Sequence, residues 1–179
     1  MDKKRSAMII DGPNYRGASL TSGFNIDFHR LLETYEPDYD FQILKIFHDQ
    51  LPGGERLNSF YRAMYELGFD LVPVPMHEYG YNCRAEGKIL KSSTDQMITI
   101  HVMQHLFSNQ FDEIFFFTGD SDYRFLLEEI KKAGKRIKIF STSTTISRSL
   151  ILLADEVIKI DEIDKDSDLL LSLICQQKY

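Results

Sequence analysis

Four aspartates carry the chemistry that this chain offers. Asp11 directly follows the apolar run Ala7-Met8-Ile9-Ile10, and Asp120 and Asp122 follow Glu113–Phe117 within Thr118-Gly119-Asp120-Ser121-Asp122. Asp95 opens a helical stretch just after Lys91-Ser92-Ser93-Thr94. Gathering carboxylates costs Coulombic repulsion, and a bound cation relieves it. Oxygen-only donors select a hard ion, Mg²⁺ or Mn²⁺, over zinc. An ion held this way is suited to phosphoryl chemistry, because it polarises a phosphate and acidifies a water.

Each aspartate also has a plainer reading. Asp11-Gly12-Pro13-Asn14 is turn chemistry, Asp120 or Ser121 caps the following helix, and Asp95 suits the positive end of a helix dipole. Taken together, with a strand ahead of both acidic motifs, they favour a site. Asn14 adds a neutral oxygen or an amide donor, and Gly12 and Gly119 allow backbone to pass close to a ligand. No Ser-His-Asp or Cys-His arrangement competes. Of His29, His48, His77, His101 and His105, only His101 and His105 share a helical face, and the glutamate of a zinc-binding HExxH motif is absent.

The elements that must position these groups read as alternating strands and helices, which implies a mainly parallel sheet. Strands are expected at Ala7 to Ile10, Phe41 to Phe47, Phe69 to Val74, Glu113 to Phe117, Arg136 to Phe140 and Glu156 to Ile160. Helices are expected at Asp27 to Tyr35, Glu55 to Leu67, Thr94 to Phe107, Tyr123 to Lys132, Ile146 to Leu153 and, as a tail, about 165–175. In the long helix, Ile98, Val102, His105 and Leu106 are expected to face the sheet. Met76 to Lys91 is a loop or a hairpin. In open sheets, ligands bind beyond the carboxyl ends of strands where strand order reverses. The first strand and the one at Glu113 to Phe117 are expected to be neighbours there.

With 179 residues the chain suits one domain, its core spanning about 7–160. A hydrophobic share of 43% beside 27% charged residues is ordinary for a globular protein. No apolar run approaches the ~20 residues that cross a bilayer, and the N-terminus lacks the pattern of a signal peptide. Cys83 and Cys175 have neither ligand spacing nor a disulfide framework. A cytoplasmic, non-membrane protein is expected. Its net charge of −6 differs from that of a protein that merely coats nucleic acid, so a polyanionic substrate would need local cations. The apolar tail, with Leu169, Leu170, Leu171, Leu173 and Ile174, has two open destinations: the domain itself or a second copy in a homodimer.

The chain resembles the NYN domains, in the LabA-like branch of the PIN-like nucleases. The resemblance lies in Met8-Ile9-Ile10-Asp11-Gly12-Pro13-Asn14, Lys91-Ser92-Ser93-Thr94-Asp95, Phe116-Phe117-Thr118-Gly119-Asp120-Ser121-Asp122-Tyr123 and Ala133-Gly134-Lys135-Arg136-Ile137-Lys138-Ile139. It implies a three-layer α/β/α sandwich, a metal-dependent nuclease site at Asp11, Asp95, Asp120 and Asp122, and RNA as the usual substrate. Two departures stand out. Ser93-Thr94 precedes Asp95 where the family usually has Gly-Val, and His101 stands where many members have another aspartate.

On that reading Asn14, Arg16, Lys91, Ser121 and Arg124 would contact substrate, with Arg84 and Lys88 beside them. Tyr15, Tyr79 and Tyr81 either stack on unpaired bases or, as tyrosines in loops more often do, pack as amphipathic covers, and the Lys3-Lys4-Arg5 tip either touches phosphate or frays. Three rivals remain: an inactive RNA- or nucleotide-binding regulatory module of the same fold, a phosphomonoesterase, and a DNA-directed nuclease.

Overall fold

The central strands are apolar along their length because both of their faces are covered. The computed structural model describes residues 2–23, 25–50, 59–82, 87–162 and 174–175. β1 (Lys4–Asp11) is buried from Ser6 onward and runs straight into α1 (Gly12–Ser22). Next come β2 (Asn25–Ile26), α2 (Phe28–Tyr35), β3 (Tyr39–Gln50), α3 (Ser59–Glu66) and β4 (Asp70–Pro75). A hairpin of β5 (His77–Asn82) and β6 (Gly87–Lys91) precedes α4 (Thr94–Phe107). β7 (Glu113–Phe117) then leads through a 3-10 turn (Ser121–Tyr123) into α5 (Arg124–Lys132). β8 (Arg136–Ser141), α6 (Arg148–Leu153) and β9 (Glu156–Lys159) follow, and β10 (Ile174–Cys175) pairs antiparallel with β2.

Six strands form one parallel sheet in the order β4-β3-β1-β7-β8-β9. From β1 the chain moves outward through β3 to β4. It then returns to the other side of β1 and moves outward again through β8 to β9. Strand order therefore reverses between β1 and β7, as expected for a doubly wound sheet.

Side chains alternate across the sheet and define two cores. Met8, Ile10, Phe115 and Phe117 pack with Tyr15, Phe28, Leu31 and Met64 of α1, α2 and α3. Ala7, Ile9, Ile114 and Phe116 pack with Ile98, Val102, Leu127, Ile130 and Leu150 of α4, α5 and α6. This is the expected three-layer α/β/α sandwich. The five β7 residues are all buried, and burying each large apolar side chain contributes roughly 1.5–3 kcal/mol. The turn after β7 thus starts from a fixed point.

Several expectations change. Asp11-Gly12-Pro13-Asn14 is a helix start rather than a free turn: Asp11 caps α1 and accepts the Asn14 N–H at 3.2 Å, with Pro13 in the first turn. β3 is longer than Phe41 to Phe47. Pro73 and Pro75 sit inside β4, which tolerates them because it is an edge strand. Of the two forms expected for Met76 to Lys91, the antiparallel pairing of β5 with β6 gives the hairpin, residues 83–86 lying outside the described residues. His105 does not face the sheet but turns to the Gln110 side chain. The start of the helix expected at Glu55 lies outside the described residues. So does most of the tail, but Ile174 and Cys175 form a strand where a helix was expected. Lys4 and Arg5 belong to β1, and Arg5 holds Asp112 through two bonds of 2.9 and 2.8 Å. That tip is therefore neither frayed nor near Asp11. Among the described residues no helix is long and apolar enough to cross a membrane.

Candidate functional site

The carboxyl ends of β1, β3 and β7, with the first turn of α4, bring five carboxylates into one region. Three of them form the outer cluster: Asp95, Asp120 and Asp122 each present an oxygen, all within 4.8 Å of one another. Asp95 and Asp122 are exposed and Asp120 is half-buried, so the cluster opens to solvent. Ionised pairs at that spacing repel by about 1 kcal/mol in water and up to about 4 kcal/mol at the protein surface. The fold therefore holds like charges together that would separate if free.

Asp120 and Asp122 arrive on one tight turn. Asp120 caps it, accepting the Asp122 N–H at 3.0 Å, while its own N–H donates to Thr118 Oγ1 at 3.2 Å. Gly119 is required here by crowding and not by an unusual dihedral. A Cβ on it would lie 2.4 Å from the Thr145 carbonyl oxygen, and one on Gly12 would lie 2.2 Å from the Phe47 carbonyl oxygen. The close neighbour in each case is protein backbone, which replaces the expected ligand.

Asp11 lies beneath the cluster and is 2% exposed. Oδ1 accepts the Asn14 N–H, and Oδ2 accepts the Thr118 hydroxyl at 3.3 Å and the Tyr123 hydroxyl at 3.0 Å. Burial raises its pKa to about 6, further helped by the Asp95 charge, while its three donors oppose the rise. Asp95 is raised too, first by burial and then by the charges of Asp120, Asp122 and Asp49. Tyr123 touches both acids, its one hydroxyl proton shared between Asp11 Oδ2 at 3.0 Å and Asp95 Oδ1 at 3.1 Å. Its own pKa is driven far up by burial and by those two charges.

Asn14 Oδ1 accepts the Gly119 N–H at 3.0 Å. Its oxygen thus joins α1 to the β7 exit and is not offered outward. Arg16, Lys91, Ser121 and Arg124 are exposed. Arg16 lies near Tyr61, whose pKa its charge lowers against a larger rise from burial. Arg124 runs along its helix to Glu128 at 2.9 Å. Lys91 ends the hairpin opposite His77. Tyr15 is not available for base stacking: it is buried, stacks on Phe60 and accepts the Ile26 N–H. The side chains of Tyr79, Tyr81, Arg84 and Lys88 lie outside the described residues.

Three contributors escaped the sequence reading: Asp49, Thr94 and Tyr123. Asp49 Oδ1 accepts the Thr94 hydroxyl at 2.7 Å, which ties the start of α4 to the end of β3. The departure from Gly-Val at Ser93-Thr94 thus supplies a tether for α4. A strand expected to run past Phe47 to Gln50 would have put Asp49 at its carboxyl end beside the other acids. His101, at the family's further aspartate position, rests its ring edge on Phe47 with centroids 5.2 Å apart. Burial lowers its pKa.

The donor set fits a hard divalent cation. It is made entirely of carboxylate oxygens, gathered at 4.8 Å or less, with a fourth buried acid adjoining.

Comparison with known proteins places the chain in a family and a fold. The profile of the NYN domain family matches residues 5–161. The chain is 26% identical over 158 residues to an uncharacterized protein of Methanocaldococcus jannaschii, covering 88% of this chain and 56% of that protein. It is 24% identical over 160 residues to the Low amplitude and bright protein LabA of Synechococcus elongatus, covering 89% and 85% respectively. A crystal structure of a protein of unknown function from Vibrio parahaemolyticus superposes with a TM-score of 0.67 at 17% identity, covering 97% of each chain. The chain belongs to the NYN domain family, within the PIN-like nuclease superfamily.

Proposed function

We propose that this chain is a divalent-metal-dependent ribonuclease, one NYN domain spanning 1–179, that hydrolyses RNA phosphodiester bonds. The observation that carries the reading is the Asp95–Asp120–Asp122 cluster at the point where strand order reverses, backed by buried Asp11. Asp95, Asp120 and Asp122 would hold Mg²⁺ or Mn²⁺, and Asp11 adds negative charge from the buried side. When bound, the ion supplies positive charge that neutralises the scissile phosphate and makes water more acidic. The chain's own contributions are placement and charge. Asn14 and Thr118 fix the β7 exit, and Arg16, Lys91, Ser121 and Arg124 line the approach for the phosphate backbone.

RNA is the substrate that family membership favours. The test is cleavage of labelled single-stranded RNA, structured RNA and matched DNA with Mn²⁺, comparing wild type with Asp95→Asn and Asp120→Asn. Each variant is expected to lose at least a hundredfold in rate. Equal cleavage by wild type and both variants would overturn the mechanism.

One observation sustains a second reading, a regulatory RNA- or nucleotide-binding module of the same fold. His101 packs on Phe47 and brings no oxygen to the cluster. Metal-dependent RNA binding without product would select it.

A further inference from the structure

We propose that Tyr123 is a positioning residue for Asp95: its buried ring fixes a hydroxyl whose one proton is shared between Asp11 and Asp95, and so holds the Asp95 carboxylate beside Asp120 and Asp122. The inference rests on the reading of that cluster as a cation site.

Asp95 is an exposed side chain in the first turn of a helix, next to two like charges. Left alone, it would swing toward water and away from Asp120 and Asp122. Tyr123 opposes that swing. It is fully buried, and its ring is fixed edge-on against Phe116 with centroids 4.8 Å apart. Its hydroxyl sits between Asp11 Oδ2 at 3.0 Å and Asp95 Oδ1 at 3.1 Å.

The residue belongs to the same turn, Ser121–Tyr123, that carries Asp122 and is capped by Asp120. One turn thus presents two carboxylates to solvent and sends a phenol inward to grip the third. Asp11 is held independently by Asn14 and Thr118, so the anchor does not depend on Asp95. Tyr123 adds no ligand atom and acts through the orientation of Asp95. Partners that orient a ligand in this way typically alter metal affinity by about 10–100-fold.

A tyrosine kept only to fill the core would show a different signature. Tyr123→Phe keeps the ring against Phe116 and removes the hydroxyl alone. Mn²⁺ affinity, measured by titration and by the free-ion EPR signal, is compared among wild type, Tyr123→Phe, Asp95→Ala and the double variant. The expected result is about tenfold weaker binding in Tyr123→Phe, and no further loss when the same change is made in Asp95→Ala. Unchanged affinity in Tyr123→Phe, or an equal fold-loss in both backgrounds, would overturn this inference alone. Wild-type protein that takes up no Mn²⁺ would overturn the metal reading of the cluster and this inference with it.

Discussion

Asn14 Oδ1 accepts the Gly119 N–H at 3.0 Å, so the first turn of α1 and the exit of β7 move as one unit. The Gly119 amide is buried, and removing its acceptor leaves a donor without a partner, which costs about 1–3 kcal/mol. Asn14→Ala is expected to lower stability by that amount in urea denaturation and to reduce cleavage as the Asp120 turn loosens. Asn14→Asp keeps an acceptor but adds a charge beside Asp11, and should recover only part of the loss in stability. An unaltered midpoint in Asn14→Ala would show that the bond is dispensable.

The buried carboxyl of Asp11 gives stability a definite dependence on pH. Its folded pKa of about 6 lies above the unfolded value near 3.8, so the folded state binds more protons between them. The contribution of this group to stability in metal-free buffer is therefore largest below pH 4, where the lowered pKa values of Asp112, Asp155 and Asp161 act in the opposite direction. It falls as pH rises toward 6 and levels off beyond, with a total on the order of 3 kcal/mol from this group. Asp95 acts in the same direction. Melting curves from pH 4 to 7.5 in EDTA should show the decline, and Asp11→Asn should flatten it. A decline of equal size in Asp11→Asn would assign it elsewhere.

Divalent ions should act on the same balance from the other side. An ion that binds only the folded chain adds about 2.7 kcal/mol at a hundredfold excess over its Kd. Mn²⁺ is expected to raise the melting temperature of wild type at pH 7.5 by several degrees and to do less at pH 5, where Asp11 is largely protonated. Asp120→Asn should abolish most of the gain. A gain retained in that variant would place the ion elsewhere.

Two glycines in α1 should respond in opposite ways to the same substitution. Gly12→Ala drives a Cβ to 2.2 Å from the Phe47 carbonyl oxygen, whereas Gly17→Ala meets nothing within 4 Å. The first should cost about 3 kcal/mol or more, as a clash with backbone in a packed interior does. The second should gain roughly 0.5–1 kcal/mol, because alanine favours a helix. Urea midpoints of the two variants decide it, and similar values would remove the crowding argument.

The layered fold was legible because period and burial agree. Glu113–Phe117 and Thr94–Phe107 are continuous enough for their limits to coincide with β7 and α4. The aspartates were legible because each stands at the end of such an element. What sequence could not show was which acid faces water. Asp11 and Asp120 look alike after their strands, yet one is buried under three donors and the other caps an open turn. That difference depends on Tyr123 and Thr118, whose contacts cross more than a hundred residues to Asp11. The start of α1 was misread because an Asp–Gly–Pro–Asn run serves turns and helix caps alike. For Tyr15 the sequence leaves packing and base stacking both open, and the aromatic cluster that receives it decides for packing.

The two ends of the sheet handle charge in opposite ways. At the amino ends of β1, β7 and β8, Arg5 and Lys135 clasp Asp112, and Lys4 and Arg136 flank buried Glu113. These groups sum to a net positive charge, four cations against two acids, whereas the opposite rim concentrates five carboxylates. The domain therefore has a lopsided field along the strand axis, and an approaching polyanion meets a barrier where it must land. Monovalent salt screens such a barrier. The usual weakening of nucleic-acid association by added salt is thus expected to reverse here until a divalent ion fills the rim.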